Sequence, residues 1–369
     1  MDRVRVVMVT TWFPTAGDPV AGTFVRKDAE LIATHHDVEV IHLIPPARAT
    51  ESEEVSGLSI TRVPMSTSDP RDILRAWPRI AERLAGADVL HTQAFSTLLP
   101  FAGRRVPIPW VHSEHWSGVA DPAGLTLRGR LVLSATGRLL RRPHVVTTVS
   151  GFLGDRVRRF RPRGAIEIVP SVVPAAHVVP PPHDPALLRL VSVGGLVPGK
   201  DPRLALEVTR ELRRRGTAST LTWVGDGPLR GDLERELTPA DRVEFTGAVD
   251  AAGVAAALDR ADVFLLPTRG ETLCLSALEA ISHGRPVVMG DRGGQREYVT
   301  AANGRLVQPR TAAAYADAIQ DIWAPDDPAA PDAVAATIGD RFHAEAVLAG
   351  YERAYARARG AYGILSAPE

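Results

Sequence analysis

The chain has 369 residues, of which 45% are hydrophobic and 23% are charged, a composition typical of a folded globular protein long enough for two domains. Its 43 basic and 43 acidic side chains balance, so no overall field attracts nucleic acid. A single cysteine excludes an internal disulfide framework. No apolar run approaches about 18 residues, and the N-terminus leads directly into a strand, so the sequence predicts neither a transmembrane span nor a signal peptide. The sequence therefore predicts a cytoplasmic location.

Short β-rich runs recur through both halves of the chain, and helical patterns or long connections lie between most of them. In the first half they cover residues 4–10, 38–44, 88–93, 110–114, 144–150 and 166–170. In the second half they cover residues 189–194, 220–225, 243–249, 262–267, 286–290 and 305–309. Strands that alternate with helices predict an α/β fold with two doubly wound halves.

A proline-rich segment, residues 170–185, separates the two halves and cannot form a regular helix. It predicts the linker between an N-terminal domain, residues 1–175, and a C-terminal domain, residues 176–344. The alanine-rich residues 342–359 predict a final helix with an apolar stripe. Residues 324–332, which are rich in proline and aspartate, predict an exposed loop.

Residues 127–163 hold ten arginines against one acidic residue, Asp155. A basic face of this kind could touch an anionic membrane or an anionic acceptor. The alternative is a solvated surface in an arginine-rich chain. We favour the alternative over peripheral membrane contact, because the sequence shows no clean amphipathic helix with exposed large apolar residues beside the arginines.

Residues 262–297 form the most informative stretch, which reads as strand, turn, helix, strand, glycine turn and helix. Two strands joined by a helix of about ten residues must be parallel, and α/β sheets hold ligands beyond the carboxyl ends of such strands. Helix starts there expose unpaired N–H groups and the positive end of a dipole. The two predicted anion sites, which together suit a diphosphate, are Thr272, Leu273, Cys274 and Leu275 at the first helix start and residues 295–297 after Gly294 at the second.

Two carboxylates, Glu271 and Glu279, are placed by helical spacing about 12 Å apart along one helix and roughly 80° round it. The separation along the helix approximates the length of a sugar diphosphate plus ribose. Because a carboxylate accepts two hydrogen bonds, Glu279 suits ribose hydroxyls and Glu271 a pyranose hydroxyl. The alternative is a helix-start carboxylate and a solvated side chain. Cys274 could have a lowered pKa at a helix start, although we favour a small packing residue.

The two glutamates, followed by HGRPVV and GGQRE, resemble the motif of family-4 retaining glycosyltransferases. The resemblance extends over nearly the whole chain and is more specific in the C-terminal half. It implies the GT-B architecture, in which two Rossmann-like domains face a central cleft. The N-terminal domain would bind the acceptor and the C-terminal domain the nucleotide-sugar donor, with the last helix, about residues 345–369, crossing back to the first domain.

Glycine-rich loops also resemble those of the family. VSVGGLVPGKDP matches the loop that contacts the diphosphate, with Gly194 and Lys200 in register and Gly195 where an arginine is usual. Arg269 and Arg296 are alternative sources of that missing charge. Gly22 resembles part of the family's first glycine loop, for which an ordinary strand-to-helix turn is the alternative.

The segment PWVHSEHWSG resembles the family's catalytic histidine region, and alignment on the strand favours His115 over His112. Glu114 is the rival polar residue. Alternation sends His115 and His112 to opposite faces of the strand, so the sequence predicts no metal site there.

The resemblance implies a retaining, metal-independent transfer of a sugar from a nucleotide diphosphate sugar to a hydroxyl acceptor by a front-face mechanism, with no cofactor besides the donor. Lys200 and the amides near Thr272 and Gly294 would stabilise the departing diphosphate. Glu271 and His115 would hold the sugar. The alternatives are a pseudo-glycosyltransferase that couples a nucleotide-linked cyclitol, a nucleotide-sugar epimerase, and a non-catalytic sugar-nucleotide binding protein.

Overall fold

The computed structural model describes residues 3–18, 21–46, 53–55, 57–182, 184, 186–323 and 330–366. The strands are β1 (Arg5–Thr10), β2 (Asp37–Ile44), β3 (Glu53–Val55), β4 (Leu58–Pro64), β5 (Val89–Gln93), β6 (Trp110–Glu114), β7 (Val145–Thr148), β8 (Ala165–Ile168), β9 (Leu188–Val193), β10 (Ser219–Val224), β11 (Val243–Gly247), β12 (Val263–Leu266), β13 (Val287–Gly290) and β14 (Gly304–Val307). The α-helices are α1 (Thr23–Ala33), α2 (Pro70–Leu84), α3 (Ser117–Ala120), α4 (Leu127–Thr136), α5 (Gly151–Arg158), α6 (Pro202–Arg214), α7 (Arg230–Glu236), α8 (Ala251–Asp259), α9 (Leu275–Ser282), α10 (Ala312–Ile322), α11 (Pro331–Ala336) and α12 (Ala344–Ser366).

The chain divides into two compact units, one made of Met1–Val172 with Ala344–Glu369 and the other of Val173–His343. The first unit holds an eight-stranded sheet in the order β3-β4-β2-β1-β5-β6-β7-β8. Its strand pairs are parallel except for β3 with β4 at one edge. The order reverses between β1 and β5, so the loops after these strands lie at a topological switch point.

The second unit holds a six-stranded parallel sheet in the order β11-β10-β9-β12-β13-β14. This is the strand order of a Rossmann fold, with its switch point between β9 and β12. The central strands β12 and β13 are buried along their whole length, as parallel strands covered on both faces are. The predicted α/β class with two Rossmann-like domains is therefore confirmed.

The last helix, α12, packs in the first unit. Its Val347, Tyr351 and Tyr355 are buried in the hydrophobic cluster formed with β1, β2 and α1. The Tyr355 hydroxyl lies 2.8 Å from His91 Nδ1 on β5, so a buried polar contact fixes the helix as well as apolar packing. Among the described residues, no helix is both long enough and apolar enough to cross a bilayer.

Most differences from the sequence predictions are local. Strands β3 and β4 were missed, and the helix expected after Gly294 is a four-residue 3₁₀ turn, Gly294–Glu297. The described residues of the proline-rich linker, 170–182 and 184, have no regular secondary structure. Of the predicted loop 324–332, residues 324–329 lie outside the described residues, and a loop at its end is wrong because α11 begins at Pro331.

The expectation of no clean amphipathic helix with exposed large apolar residues beside the arginines is wrong only about the exposed residues. Helix α4 exposes Leu127, Leu131 and Val132 and buries Leu133. In the sequence, small and basic residues alternate with these apolar side chains and hide the stripe that the side chains form. The stripe faces away from the core rather than towards it.

Candidate functional site

The loops after β9 and β12 meet at the switch point of the second sheet. Lys200 lies in the loop between β9 and α6, and Glu271 lies in the turn between β12 and α9. Because β9 and β12 are neighbouring parallel strands, their carboxyl ends open on the same edge of the sheet. Two side chains that are 71 positions apart in the sequence are thereby brought into contact.

The Lys200 ammonium donates to Oε1 of Glu271 at 2.7 Å. The same carboxylate oxygen accepts from the hydroxyl of Thr268, also at 2.7 Å. Both charged side chains are partly exposed, at 25% for Lys200 and 12% for Glu271, so the pair borders open space. Thr268 was missed by the sequence reasoning, although its place as the second residue after β12 could have marked it.

The Lys200 side chain stays protonated and positively charged at neutral pH. Burial alone would lower its pKa, but the charge and hydrogen bond of Glu271 outweigh burial, and the pKa of Lys200 is raised above its ordinary value. The site therefore presents one fixed positive charge beside a carboxylate that is held by two donors.

Close backbone approaches explain two of the glycines at this edge. A Cβ on Gly225, after β10, would overlap the carbonyl oxygen of Gly194, which also accepts from the Trp223 indole at 2.8 Å. A Cβ on Gly293, after β13, would overlap the carbonyl oxygen of Glu271. Both glycines have positive φ, 139° and 131°, so they fix the loops around Lys200 and Glu271.

The turn after β13 differs from the predicted anion site. The Gly294 amide donates to the carbonyl oxygen of Glu271 at 3.0 Å, and the Glu271 amide donates to the carbonyl oxygen of Arg292 at 3.2 Å. Gly294 thus positions Glu271 rather than offering its amide to an anion. The following residues form a single 3₁₀ turn, which lacks the summed dipole of an α-helix.

Helix α9 begins at Leu275, the last of the four residues predicted for the helix start, so Thr272 and Leu273 lie in the turn that leads into it. Glu279 lies on α9, whereas Glu271 precedes the helix and pairs with Gly293 in an isolated bridge. The separation of about 12 Å that was derived from continuous helical spacing therefore does not apply. Glu279 is partly exposed on the second turn of α9.

Cys274 caps α9 in a left-handed conformation with φ of 73°. Burial, together with the charge of Glu271, raises the pKa of its thiol to about 11. A reactive thiolate is therefore excluded, and Cys274 is a packing residue. The Tyr298 hydroxyl donates to the Leu273 carbonyl at 2.8 Å and holds the turn from below.

Position 195 is a glycine, and the two arginines proposed to replace the usual arginine there have other partners. Arg269 donates to Asp201 at 3.1 Å, and Arg296 forms a bidentate pair with Asp291 at 2.6 and 2.8 Å. The sequence reasoning did not consider Arg292, whose side chain lies 3.8 Å from the position of a Cβ on Gly270, beside Glu271.

In the first unit, Gly22 caps α1 with φ of 69°, and a Cβ there would overlap the backbone of Trp12. The close approach of the Trp12 backbone therefore explains why this position is a glycine. This agrees with the alternative of an ordinary strand-to-helix turn. The Gly22 carbonyl accepts from Arg26 at 3.1 Å.

His115 follows β6 and is half-buried. Its Nε2 lies 2.8 Å from Oε1 of Gln93 at the end of β5, and its ring packs against Phe24 at 5.0 Å between centroids. Burial, and then the neighbouring charge of His112, lowers the pKa of His115, so the imidazole is neutral at pH 7. With Nε2–H donating to Gln93, Nδ1 is left as an acceptor. Gln93, a polar residue at a strand end, was missed.

His112 and Glu114 have structural roles. Both are fully buried, with His112 Nε2 3.4 Å from Glu114 Oε2. Glu114 accepts from the amides of His115 and Trp116 at 2.9 and 2.8 Å, and thereby caps the turn after β6. Of the three candidates in this segment, only His115 has exposed surface.

Two family models match the chain in succession. Residues 28–177 match Glycosyltransferase Family 4, and residues 188–324 match Glycosyl transferases group 1. The second match contains Lys200, Glu271 and Glu279, and the first contains His115.

Individual relatives agree with these matches. The chain is 28% identical to a GDP-mannose-dependent alpha-(1-6)-phosphatidylinositol monomannoside mannosyltransferase of Mycolicibacterium smegmatis, over 86% of this chain and 89% of that protein. In structure it is similar to sucrose-phosphate synthase from Thermosynechococcus elongatus, with a TM-score of 0.79, 20% identity, and coverage of 97% and 100% of the two chains. Anabaena HepE in complex with UDP-glucose gives a TM-score of 0.74 at 14% identity, over 96% and 100%.

Proposed function

The chain belongs to the family-4 glycosyltransferases of GT-B fold, and we propose that it transfers a sugar from a nucleoside diphosphate sugar to a hydroxyl acceptor with retention of anomeric configuration. The relatives include a mannosyltransferase that depends on GDP-mannose and a protein in complex with UDP-glucose. Both donors consist of a nucleoside diphosphate and a hexose, and this class of donor is the one we assign.

The contact between Lys200 and Glu271 carries the proposal. A raised lysine pKa keeps a positive charge at the switch point, where a Rossmann-like sheet holds a nucleotide. A carboxylate bound to the same ammonium provides hydrogen-bond acceptors for sugar hydroxyls within a few ångströms of the phosphate charge. A diphosphate bonded to a sugar presents these two chemistries side by side.

In the proposed reaction the bond between the sugar's anomeric carbon and the β-phosphate oxygen breaks, and the acceptor oxygen bonds to the same carbon from the same face. The departing phosphate oxygen takes the proton of the acceptor hydroxyl. Lys200 and the backbone amides of the turn Thr272–Leu275 stabilise the negative charge that develops on the β-phosphate. Protein groups supply this stabilisation, so we propose that no metal is required.

Glu271 and Glu279 have separate roles in this proposal. Glu271 accepts from a hydroxyl of the transferred sugar, and it is held for this by Thr268 and by the bridge to Gly293. Glu279, on the second turn of α9, accepts from the ribose hydroxyls. In the first unit, neutral His115 offers the ring nitrogen that Gln93 leaves free as an acceptor for a substrate hydroxyl.

Thermal unfolding of the protein with UDP, GDP, ADP and TDP sugars, with and without magnesium, tests the donor class. A ligand that binds only the folded state raises its stability by about 2.7 kcal/mol at one hundred times its Kd. We expect one nucleotide to stabilise the protein equally with and without magnesium. We expect Lys200→Gln to weaken the stabilisation by that nucleotide. Lys27→Gln, which changes the chain's only other lysine, is the matched control.

The selected donor then permits a transfer assay with a panel of acceptors, in which NMR of the product reports the anomeric configuration. An inverted product contradicts the retaining mechanism. Tight donor binding without transfer to any acceptor would favour a sugar-nucleotide binding protein instead.

A further inference from the structure

Helix α4, in the first unit, carries an apolar stripe on its solvent side. Leu127 and Leu131 are four residues apart and therefore lie one above the other, and they are 73% and 63% exposed. Val132, next to Leu131, is 52% exposed. Leu133 points the opposite way and is 2% exposed, so it anchors the helix to the core. The helix thus buries one leucine and leaves three large apolar side chains uncovered.

Arginines surround this stripe. Arg128 lies on α4 between the exposed apolar positions, and Arg138 lies in the 3₁₀ turn, Gly137–Arg141, that continues from the helix; both are exposed. The segment 127–163 contains one acidic residue among ten arginines, although the whole chain has no net charge. The positive charge is therefore local to this part of the first unit.

Hydrogen bonds join the two arginine-rich elements into one surface. Arg141, in the 3₁₀ turn, donates to the Phe160 carbonyl at 2.7 Å, just beyond α5. The buried Arg161 donates to the carbonyls of Leu140 and Pro143, both at 2.8 Å. These bonds fix the exposed Arg158 and Arg159, at the end of α5, beside the turn that follows α4. We call α4, this turn and the end of α5 the basic-apolar surface.

We propose that the basic-apolar surface docks on an anionic lipid bilayer, with α4 lying in the headgroup region. Exposed leucines and valine can enter the boundary between headgroups and acyl chains while the arginine guanidinium groups remain at the phosphates. A bilayer offers apolar depth and negative charge together, and the surface has the complement of both. Because the apolar area is only three side chains, binding depends on anionic lipid.

This inference is independent of the donor chemistry in the second unit. It does bear on the acceptor, since a protein held at a bilayer reaches acceptors that are anchored there. The following test needs neither a donor nor turnover, so its failure and the failure of the proposed sugar transfer can be told apart.

Flotation of the full chain with large unilamellar vesicles tests the proposal. We expect binding to vesicles of phosphatidylcholine and phosphatidylglycerol in equal parts, no binding to phosphatidylcholine alone, and release by salt. Leu127→Gln with Leu131→Gln, and separately Arg128→Gln with Arg138→Gln, should weaken binding. Loss of two arginines should lower the partition coefficient about 25-fold, since each contributes about fivefold near an anionic surface.

Matched controls change the same residue types elsewhere. Leu74→Gln removes a leucine that is 59% exposed on α2, and Arg235→Gln removes an arginine that is 75% exposed in the second unit. Both should bind vesicles as the wild type does, and all variants should keep its melting temperature. Equal binding by the test and control variants, or binding that ignores lipid charge, overturns the proposal. Concentration-dependent dimerisation that Leu131→Gln abolishes, without vesicle binding, would show that a second copy covers the surface instead.

Discussion

The hydroxyl of Tyr351, on α12, donates to Oδ2 of Asp28, on α1, at 2.8 Å. Asp28 is buried, and burial raises the pKa of its carboxyl to about 7 against the opposing hydrogen bonds of Tyr351 and Gln93 and the charge of Lys27. The last helix of the chain is therefore attached to a carboxyl group that keeps its proton well above the pH at which an ordinary aspartate ionises.

This carboxyl should make stability depend on pH. An unfolded aspartate ionises near pH 4, whereas folded Asp28 keeps its proton to about pH 7. Between these values the folded state binds more protons, so the contribution of Asp28 to stability falls as pH rises, by up to roughly 4 kcal/mol, and then stays constant. Asp28→Asn removes the titration and keeps the shape, so urea unfolding should show the variant gaining on the wild type from pH 4 to pH 8. Asp340→Asn, at a 94% exposed side chain, should show no such trend; a parallel trend would contradict the assignment.

Lys200, Glu271 and Glu279 should separate in kinetics. Lys200→Gln removes the charge that receives the leaving phosphate, and we expect kcat to fall on the order of 100-fold. Glu271→Ala should reduce kcat more than donor affinity, and Glu279→Ala should mainly raise the donor Kd. Steady-state rates with calorimetric donor binding distinguish these effects, and wild-type values in both glutamate variants would remove them from the site.

Gly195 should accept an arginine. A Cβ there would meet the Asp226 carbonyl at 3.5 Å and Val197 at 3.7 Å, which are ordinary contacts. Gly195→Arg adds a second cation near Lys200, and one charged hydrogen bond should tighten nucleoside diphosphate binding by about tenfold. Calorimetry measures this, with Gly195→Leu as the uncharged control. Equal affinities in the two variants would place position 195 away from the phosphates.

Cys274 should be strained rather than reactive. Its φ of 73° disfavours any Cβ by about 1 kcal/mol, whereas glycine adopts it freely. Both Cys274→Gly and Cys274→Ala remove the thiol, so their difference isolates the backbone term. The glycine variant should be about 1 kcal/mol more stable in urea unfolding. If alanine is as stable as glycine, the turn relaxes on substitution.

His115 and His112 should respond in opposite ways to alanine substitution. His115→Ala should lower kcat and leave the melting temperature near that of the wild type, because the ring is half-buried at the edge of the sheet. His112→Ala removes a fully buried ring from Thr92, at 2.9 Å, and from Glu114, so it should mainly destabilise the protein. Full activity in His115→Ala would redirect attention to Gln93.

The sequence could predict what depends on local pattern. Apolar runs that alternate with helix formers indicate the parallel sheets that the structure contains, whereas a phosphate contact of Lys200 stays a prediction. It could not predict that Gly294 would donate its amide to Glu271, because that bond depends on how two turns meet in three dimensions. The partners of Glu271 and His115, which are Thr268 and Gln93, became evident for the same reason only from the structure.

Helix α12 has a consequence for the order of folding. The second unit is continuous, Val173–His343, whereas the first lacks Tyr351, Tyr355 and their apolar neighbours until residues 344–366 have been synthesised. During translation the central portion of the chain can complete its own hydrophobic core first. The N-terminal portion must wait, with the α1, β6 and β7 surfaces that α12 covers still open to water, until the ribosome has released the helix that closes them.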